Sequence, residues 1–155
     1  MKRFGKIIFT LLFSVYLTCV LLVLFFGRKS DLQTPIGEYF SLYANPKPLQ
    51  TLIRYIRYVA IKKDMPSLLL ALTNIGGNLL LFLPMGFFLP CLFSELRRPN
   101  NAFFVIAFMI FSSEIFQGIF RIGVPDADDF LMNFIGAAAG FGIARLLDFC
   151  KKFMS

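Results

Sequence analysis

From Ile7 to Phe26 the chain carries no charged residue. About 20 helical residues cross a hydrocarbon core about 30 Å thick, and this run is long enough to do so. Inside lipid a backbone has no water to bond, so such a segment crosses as a helix. Lys2, Arg3 and Lys6 ahead of it also suit the basic region of a cleaved signal peptide. The run is longer than the usual apolar core of about 7–15 residues, and no small-residue cleavage site follows Phe26, so the segment is expected to be retained.

Three further apolar stretches follow, at about 67–93, 102–120 and 130–149. Residues of the AVILMFWYC set make up 57% of the 155-residue chain and charged residues only 16%. A soluble domain of this size has too little interior for that much apolar surface. The expected fold class is an all-α integral membrane protein, a four-transmembrane-helix bundle forming one domain over residues 1–155. An interfacial amphipathic helix is expected between spans 1 and 2, at about 48–63. There Leu49, Leu52, Ile53, Ile56, Val59 and Ala60 share one side, while Arg54, Arg57, Tyr58 and Lys62 face away. Ordinary lipid suffices to explain such a helix, and a basic face for anionic headgroups or an envelope polyanion is the alternative. Asp64-Met65-Pro66-Ser67 predicts the cap and entry of the second span.

Composition removes several function classes. There is no His, which removes imidazole catalysis, His-ligated metals and histidine proton switches. Cys19, Cys91 and Cys150 lie far apart in apolar surroundings and are expected to be inert. No metal and no cofactor are expected. The net charge of +7 is spread along span flanks rather than concentrated in an aromatic-basic module, so nucleic acid is not an expected partner. Lys2, Arg3, Lys6, Arg97, Arg98, Lys151 and Lys152 fall on one side of the membrane. Arg28, Lys29, Lys47, Arg54, Arg57, Lys62, Lys63 and Arg121 fall on the other. Counting alone does not choose, but short flanks and the first helix weigh most, which places both termini in the cytoplasm.

Polar residues inside the spans narrow the search for a site, because ionisable groups there are costly and usually face a bundle interior or a wet cavity. Asn74 and Asn78 are one helical turn apart in the second span. Glu114, Gln117 and Arg121 share a face of the third, and Asp129, Asn133, Gly136 and Gly140 share a face of the fourth. All these stripes sit toward the same membrane surface, where Asp126, Asp128 and Asp129 close the turn between the last two spans. One outward-facing polar pocket is therefore expected, made of Asn74, Asn78, Glu114, Gln117, Arg121, Asp126, Asp128, Asp129 and Asn133. Interhelical hydrogen bonding is the plainer explanation of the amides. Burial requires Glu114 either to be neutral or to have a partner. The aspartates could hold a divalent cation, although a solvated loop or a helix N-terminus suits them better. Gly136, Ala137, Ala138, Ala139, Gly140 and Gly142 form a small-residue strip for close packing, with Thr10, Ser14 and Thr18 as a weaker one. Pro84 and Pro90 should kink the second span, with Gly86 giving room.

The ordered set Asn74-Ile-Gly-Gly-Asn78 with Pro84-Met-Gly86, then Glu114-Ile-Phe-Gln117, then Asp126-Ala-Asp128-Asp129 with Asn133-Phe-Ile-Gly136, resembles the VanZ-like family of bacterial membrane proteins. The resemblance covers the last three spans, roughly 74–142. It implies a small helical bundle of the bacterial cell membrane, and the family's namesake lowers susceptibility to the glycopeptide teicoplanin. Carried over by position, the family's signature falls on Asn78, Pro84, Gly86, Glu114, Gln117, Asp126, Asp129, Asn133 and Gly136. The family often has Gly-Arg before the acidic run. Here Gly123 is followed by Val124, and the nearest arginine is Arg121.

The expected function is a non-enzymatic envelope protein binding a lipid-linked or amphiphilic ligand. Its expected partners are membrane lipids, with a lipid-linked cell-wall precursor or a lipoglycopeptide as the ligand. An intramembrane enzyme on a lipid or cell-wall precursor is the alternative, with Glu114 as acid or base. It lacks a nucleophile constellation, since Ser112 and Ser113 have no His or Lys beside them. A small transporter is the third, and the hydrocarbon character of the other half of the spans argues against a pore. The sequence specifies no oligomeric state.

Overall fold

The computed structural model describes residues 3–26 and 30–154, with side chains over 4–26 and 30–148. Lys2, Arg28 and Lys29, and the side chains of Arg3, Cys150, Lys151 and Lys152, lie outside the described residues. Among the described residues the protein is all-helical, 83% helix, with no strand. In chain order the helices are α1 (Arg3–Phe25), α2 (Ile36–Tyr43), α3 (Gln50–Lys62), α4 (Met65–Leu92), α5 (Pro99–Ile119) and α6 (Ala127–Met154), with a short 3₁₀ turn at Ser94–Arg97. Four segments are long and apolar enough to cross a membrane: Phe4–Phe25, Met65–Leu92, Pro99–Ile119 and Ala127–Asp148. Four crossings put α2, α3 and the turn between α5 and α6 at one end of the bundle, called here the α3 end.

Helices α4 and α6 form the closest pair, and missing side chains bring them together. A Cβ on Gly136 would lie 2.0 Å from the Leu79 carbonyl oxygen, and one on Gly140 would lie 1.9 Å from that of Leu83. From the other side, a Cβ on Gly86 would lie 1.7 Å from the Ala137 oxygen. Each contact is backbone against helix, so no side chain at these positions can be accommodated without separating the pair. Gly142, by contrast, has open space at its Cβ position and takes no part. Around this pair Phe82, Met85, Ile106 and Ile110 are the largest fully buried side chains.

Helix α1 packs through Phe9, Phe13, Tyr16, Val20 and Leu24. Thr10, Ser14 and Thr18 do not form the expected packing strip. They are exposed, and each hydroxyl donates to the carbonyl four residues earlier in its own helix, which satisfies it without a neighbour. Helix α4 runs through Pro84 and Pro90 as a single element. Proline disturbs the hydrogen bonds of the turn before it. In the turn before Pro84 the Tyr16 hydroxyl donates to the Leu81 carbonyl at 2.7 Å. At the end of α4 Arg97 Nε donates to the Pro90 carbonyl, one of the helix's last carbonyls, at 3.3 Å.

The interfacial helix is present as α3, shortened by a residue or two at each end from the expected 48–63. Leu49 and Lys63, which flank it, have positive φ values of 66° and 50° and stop helical propagation. None of its residues is buried. Its N-terminal neighbour α2 has no counterpart in the periodicity reading, because eight residues are too few to show a pattern. Tertiary contact holds it: Tyr39 is buried and its hydroxyl donates to the Gly123 carbonyl at 3.0 Å.

Candidate functional site

The polar residues singled out from the sequence gather at the α3 end, but they separate into groups with different partners. Asp126, Asp128 and Asp129 sit at the start of α6, where the positive end of the helix dipole and unpaired N–H groups favour carboxylates. Asp126 Oδ2 accepts from the Thr51 hydroxyl at 2.6 Å, and its Oδ1 accepts from Asn45 Nδ2 at 3.2 Å and from the Asp128 backbone at 2.8 Å. The backbone joins the same two segments: Asn45 N–H donates to the Pro125 carbonyl and Ala127 N–H to the Asn45 carbonyl, both at 2.9 Å. The Asp128 carboxylate reaches the backbone N–H groups at the start of α3, while Asp129 accepts from Asn78 Nδ2 on α4 at 2.6 Å. Three neighbouring carboxylates thus point to three different sets of donors. Among the described residues no group of three acidic or thiol side chains converges as a metal site would require.

Two of the remaining polar groups, Gln117 and Arg121, fix the connection from α1 to α2. Gln117 is buried and donates through Nε2 to the Leu24 carbonyl at the end of α1, at 2.9 Å. Arg121, in a left-handed backbone conformation with φ 53°, donates to the Thr34 carbonyl at 2.5 Å and to that of Leu32 at 3.1 Å. Asn74 is exposed and donates to the Leu70 carbonyl of its own helix. Asn133 is 3% exposed, and its Oδ1 has no hydrogen-bond partner among the described residues.

Two openings are lined by these groups. The smaller, about 10 Å³, lies between α3, α4 and α6 beside Asn74, Asn78, Asp128 and Asp129, and at that size holds no more than about one water. The larger is an open cleft of about 490 Å³ between α5 and α6, walled by Phe111, Ile115, Phe130 and Leu131 and bounded at the α3 end by Pro46 and Pro48. Glu114 lines it, 8% exposed, with Oε2 accepting from the Asp126 backbone N–H at 3.4 Å. Ser113 Oγ donates to the Ile110 carbonyl at 2.7 Å, so that hydroxyl serves its own helix. The arrangement offers a channel for an apolar chain beside a carboxylate.

Asn45, Thr51, Tyr39 and Tyr55 belong to this end of the molecule and were not singled out from the sequence. Asn45 and Thr51 meet Asp126 across more than seventy residues, a pairing that no local spacing announces. The Tyr55 hydroxyl is pushed above its ordinary pKa, first by burial and then by the nearby charges of Asp129 and Asp126.

Against known proteins, no curated protein and no solved structure gives a significant match. A family model described as VanZ/LLP1 matches residues 13–148. The matched stretch takes in most of α1, all of α2 to α5 and the spanning part of α6, together with every polar residue gathered at the α3 end. By that match the chain belongs to the VanZ/LLP1 family, as a multi-pass membrane protein of VanZ type.

Proposed function

We infer that the chain is a non-enzymatic protein of the bacterial cell membrane, with both termini cytoplasmic and the α3 end facing outward. In this reading it holds a lipid-linked or amphiphilic envelope ligand in the cleft between α5 and α6. The observation that carries the reading is the cleft itself. It is apolar along its walls, open rather than sealed, and lined at one point by the Glu114 carboxylate. Ligand sites commonly combine a largely apolar lining with a few placed polar groups, and an ionisable residue within a span marks function by default. Asn78, Gln117, Arg121, Asp126, Asp128 and Asp129 support the site by holding α3, α4 and the α1–α2 connection in place, while Asn74 and Asn133 lie at the same end of the bundle.

Teicoplanin differs from vancomycin in carrying an acyl chain, so a cleft that takes an apolar chain offers a physical basis for selective protection. The test is expression of the chain in a susceptible Gram-positive host, with both drugs compared. Reduced susceptibility to teicoplanin but not vancomycin is expected, and no change with either removes the resistance role.

A further inference from the structure

Residues 47–63 contain Lys47, Arg54, Arg57, Lys62 and Lys63 and no acidic residue. Lys47, Arg54 and Arg57 are exposed and line a groove of about 580 Å³ on the outer face of α3, with Ile53, Tyr58 and Ile61. The side of α3 turned toward α4 and α6 meets acids: Thr51, Leu52 and Tyr55 line a small opening with Asp128 and Asp129, and the first backbone N–H groups of the helix bond Asp128. The helix therefore divides a basic surface from an acidic one.

Pro48 lines both the basic groove and the apolar cleft between α5 and α6, so the two are adjacent around one residue. The titratable groups lining the cleft itself, Glu114 and Asp126, are acidic and offer an anion no positive charge. The groove around the corner attracts one. Arg54 and Arg57 lie three residues apart, on one side of the helix, where two guanidinium forks can address the same phosphate. An interfacial helix also sits at the depth where lipid headgroups lie.

We propose that the ligand is a long-chain amphiphile with a phosphate headgroup, its chain between α5 and α6 and its phosphate held by Lys47, Arg54 and Arg57. This rests on the ligand-holding cleft argued above and adds the headgroup chemistry and its place, on the basic face of α3 and away from the aspartate turn.

The test uses the full chain in phosphatidylcholine nanodiscs, with empty discs as the blank. Binding of radiolabelled hexadecyl phosphate, hexadecanol and inorganic phosphate is measured. Hexadecyl phosphate is expected to bind saturably, hexadecanol more weakly and inorganic phosphate weakest. R54Q combined with R57Q, both at exposed positions, should weaken hexadecyl phosphate roughly tenfold or more and leave hexadecanol unchanged. L131W should weaken both chain-bearing ligands by filling the cleft, and I115W serves if that variant does not fold. Unchanged hexadecyl phosphate binding in the double arginine variant overturns the headgroup assignment, while a cleft that still responds to L131W keeps the amphiphile reading. Loss in the arginine variant with no effect of either tryptophan shows an ordinary anionic-surface contact and overturns the two-part site. If neither chain-bearing ligand saturates, the cleft reading fails as well.

Discussion

Asp128, in the first turn of α6, places its Oδ2 2.6 Å from the backbone nitrogen of Thr51 in the first turn of α3. The same carboxylate accepts from Leu52 N–H at 3.0 Å and from Leu49 N–H. No side chain at Leu49 caps α3, so a residue from a distant helix performs that task. Asp128 is 3% exposed, which makes its removal costly, because the N–H groups it serves lose a charged acceptor. D128A should destabilise the α3 end by about 2–3 kcal/mol, and D128N, which keeps one acceptor oxygen, by less. Hydrogen exchange should show faster amide exchange over residues 50–55 with the α4–α6 core unchanged. Uniform acceleration of all helices would instead mark Asp128 as a core residue.

The α4–α6 contact predicts a sharp division among glycines. G86A, G136A and G140A each drive a methyl group into a backbone carbonyl of the facing helix, at separations of 1.7, 2.0 and 1.9 Å before relaxation. Such overpacking typically costs about 1–3 kcal/mol, and more where backbone must move. Gly76, Gly77 and Gly142 have nothing within 4 Å, so alanine there should be neutral or stabilising by up to about 1 kcal/mol through helix propensity. Membrane abundance and thermal unfolding in detergent of the six single variants check the division.

Acid should loosen the strap between α1 and α2 before it affects the bundle. The Thr34 hydroxyl donates to Asp31 Oδ2 at 2.7 Å and the Thr34 backbone to Oδ1 at 3.2 Å, which holds the Asp31 carboxyl below its ordinary pKa. A carboxylate whose folded pKa is depressed contributes stability above its unfolded value, near 3.9, and loses it as pH falls through the folded value. Thr34 also presents its carbonyl to Arg121, so the loss passes to the α5–α6 turn. Limited proteolysis between pH 5 and 2.5 should show residues 30–35 becoming cleavable toward the acid end, with the step absent in D31N.

Much of this was legible in the sequence because a membrane leaves few choices. The four spans follow from apolar length, and the sharing of one small-residue face by Gly136 and Gly140 follows from helical spacing. The gathering of Glu114, Gln117, Asp129 and Asn133 at one end follows from the direction of each span. What spacing could not supply was the partner of each group. Local periodicity places Asp126 and Asp128 at the α3 end, but their bonds to Asn45 and Thr51 depend on how an irregular segment folds back. Thr10, Ser14 and Thr18 have the spacing of a packing strip, yet nothing in that spacing says which face of α1 meets the bundle. The aromatic and aliphatic face of Phe13, Tyr16, Val20 and Leu24 buries more apolar surface and occupies it instead.

The bond from Asn78 Nδ2 to Asp129 Oδ1, 2.6 Å between α4 and α6, separates helix adhesion from ligand binding. Interhelical hydrogen bonds of this kind contribute about 0.6 kcal/mol on average and up to about 1.7. N78A and D129N should therefore lower membrane abundance modestly, and the double variant should cost less than the sum of the two, since both remove one bond. Glu114 makes a different prediction. E114Q keeps an amide oxygen for the Asp126 N–H and nearly the same volume while removing the carboxylate from the cleft wall. On the proposed function it should retain wild-type abundance and lose protection against teicoplanin. Quantitative immunoblotting of membranes beside drug susceptibility reads both, and abundance falling in E114Q as far as in N78A would make Glu114 part of the helix packing rather than of the ligand site.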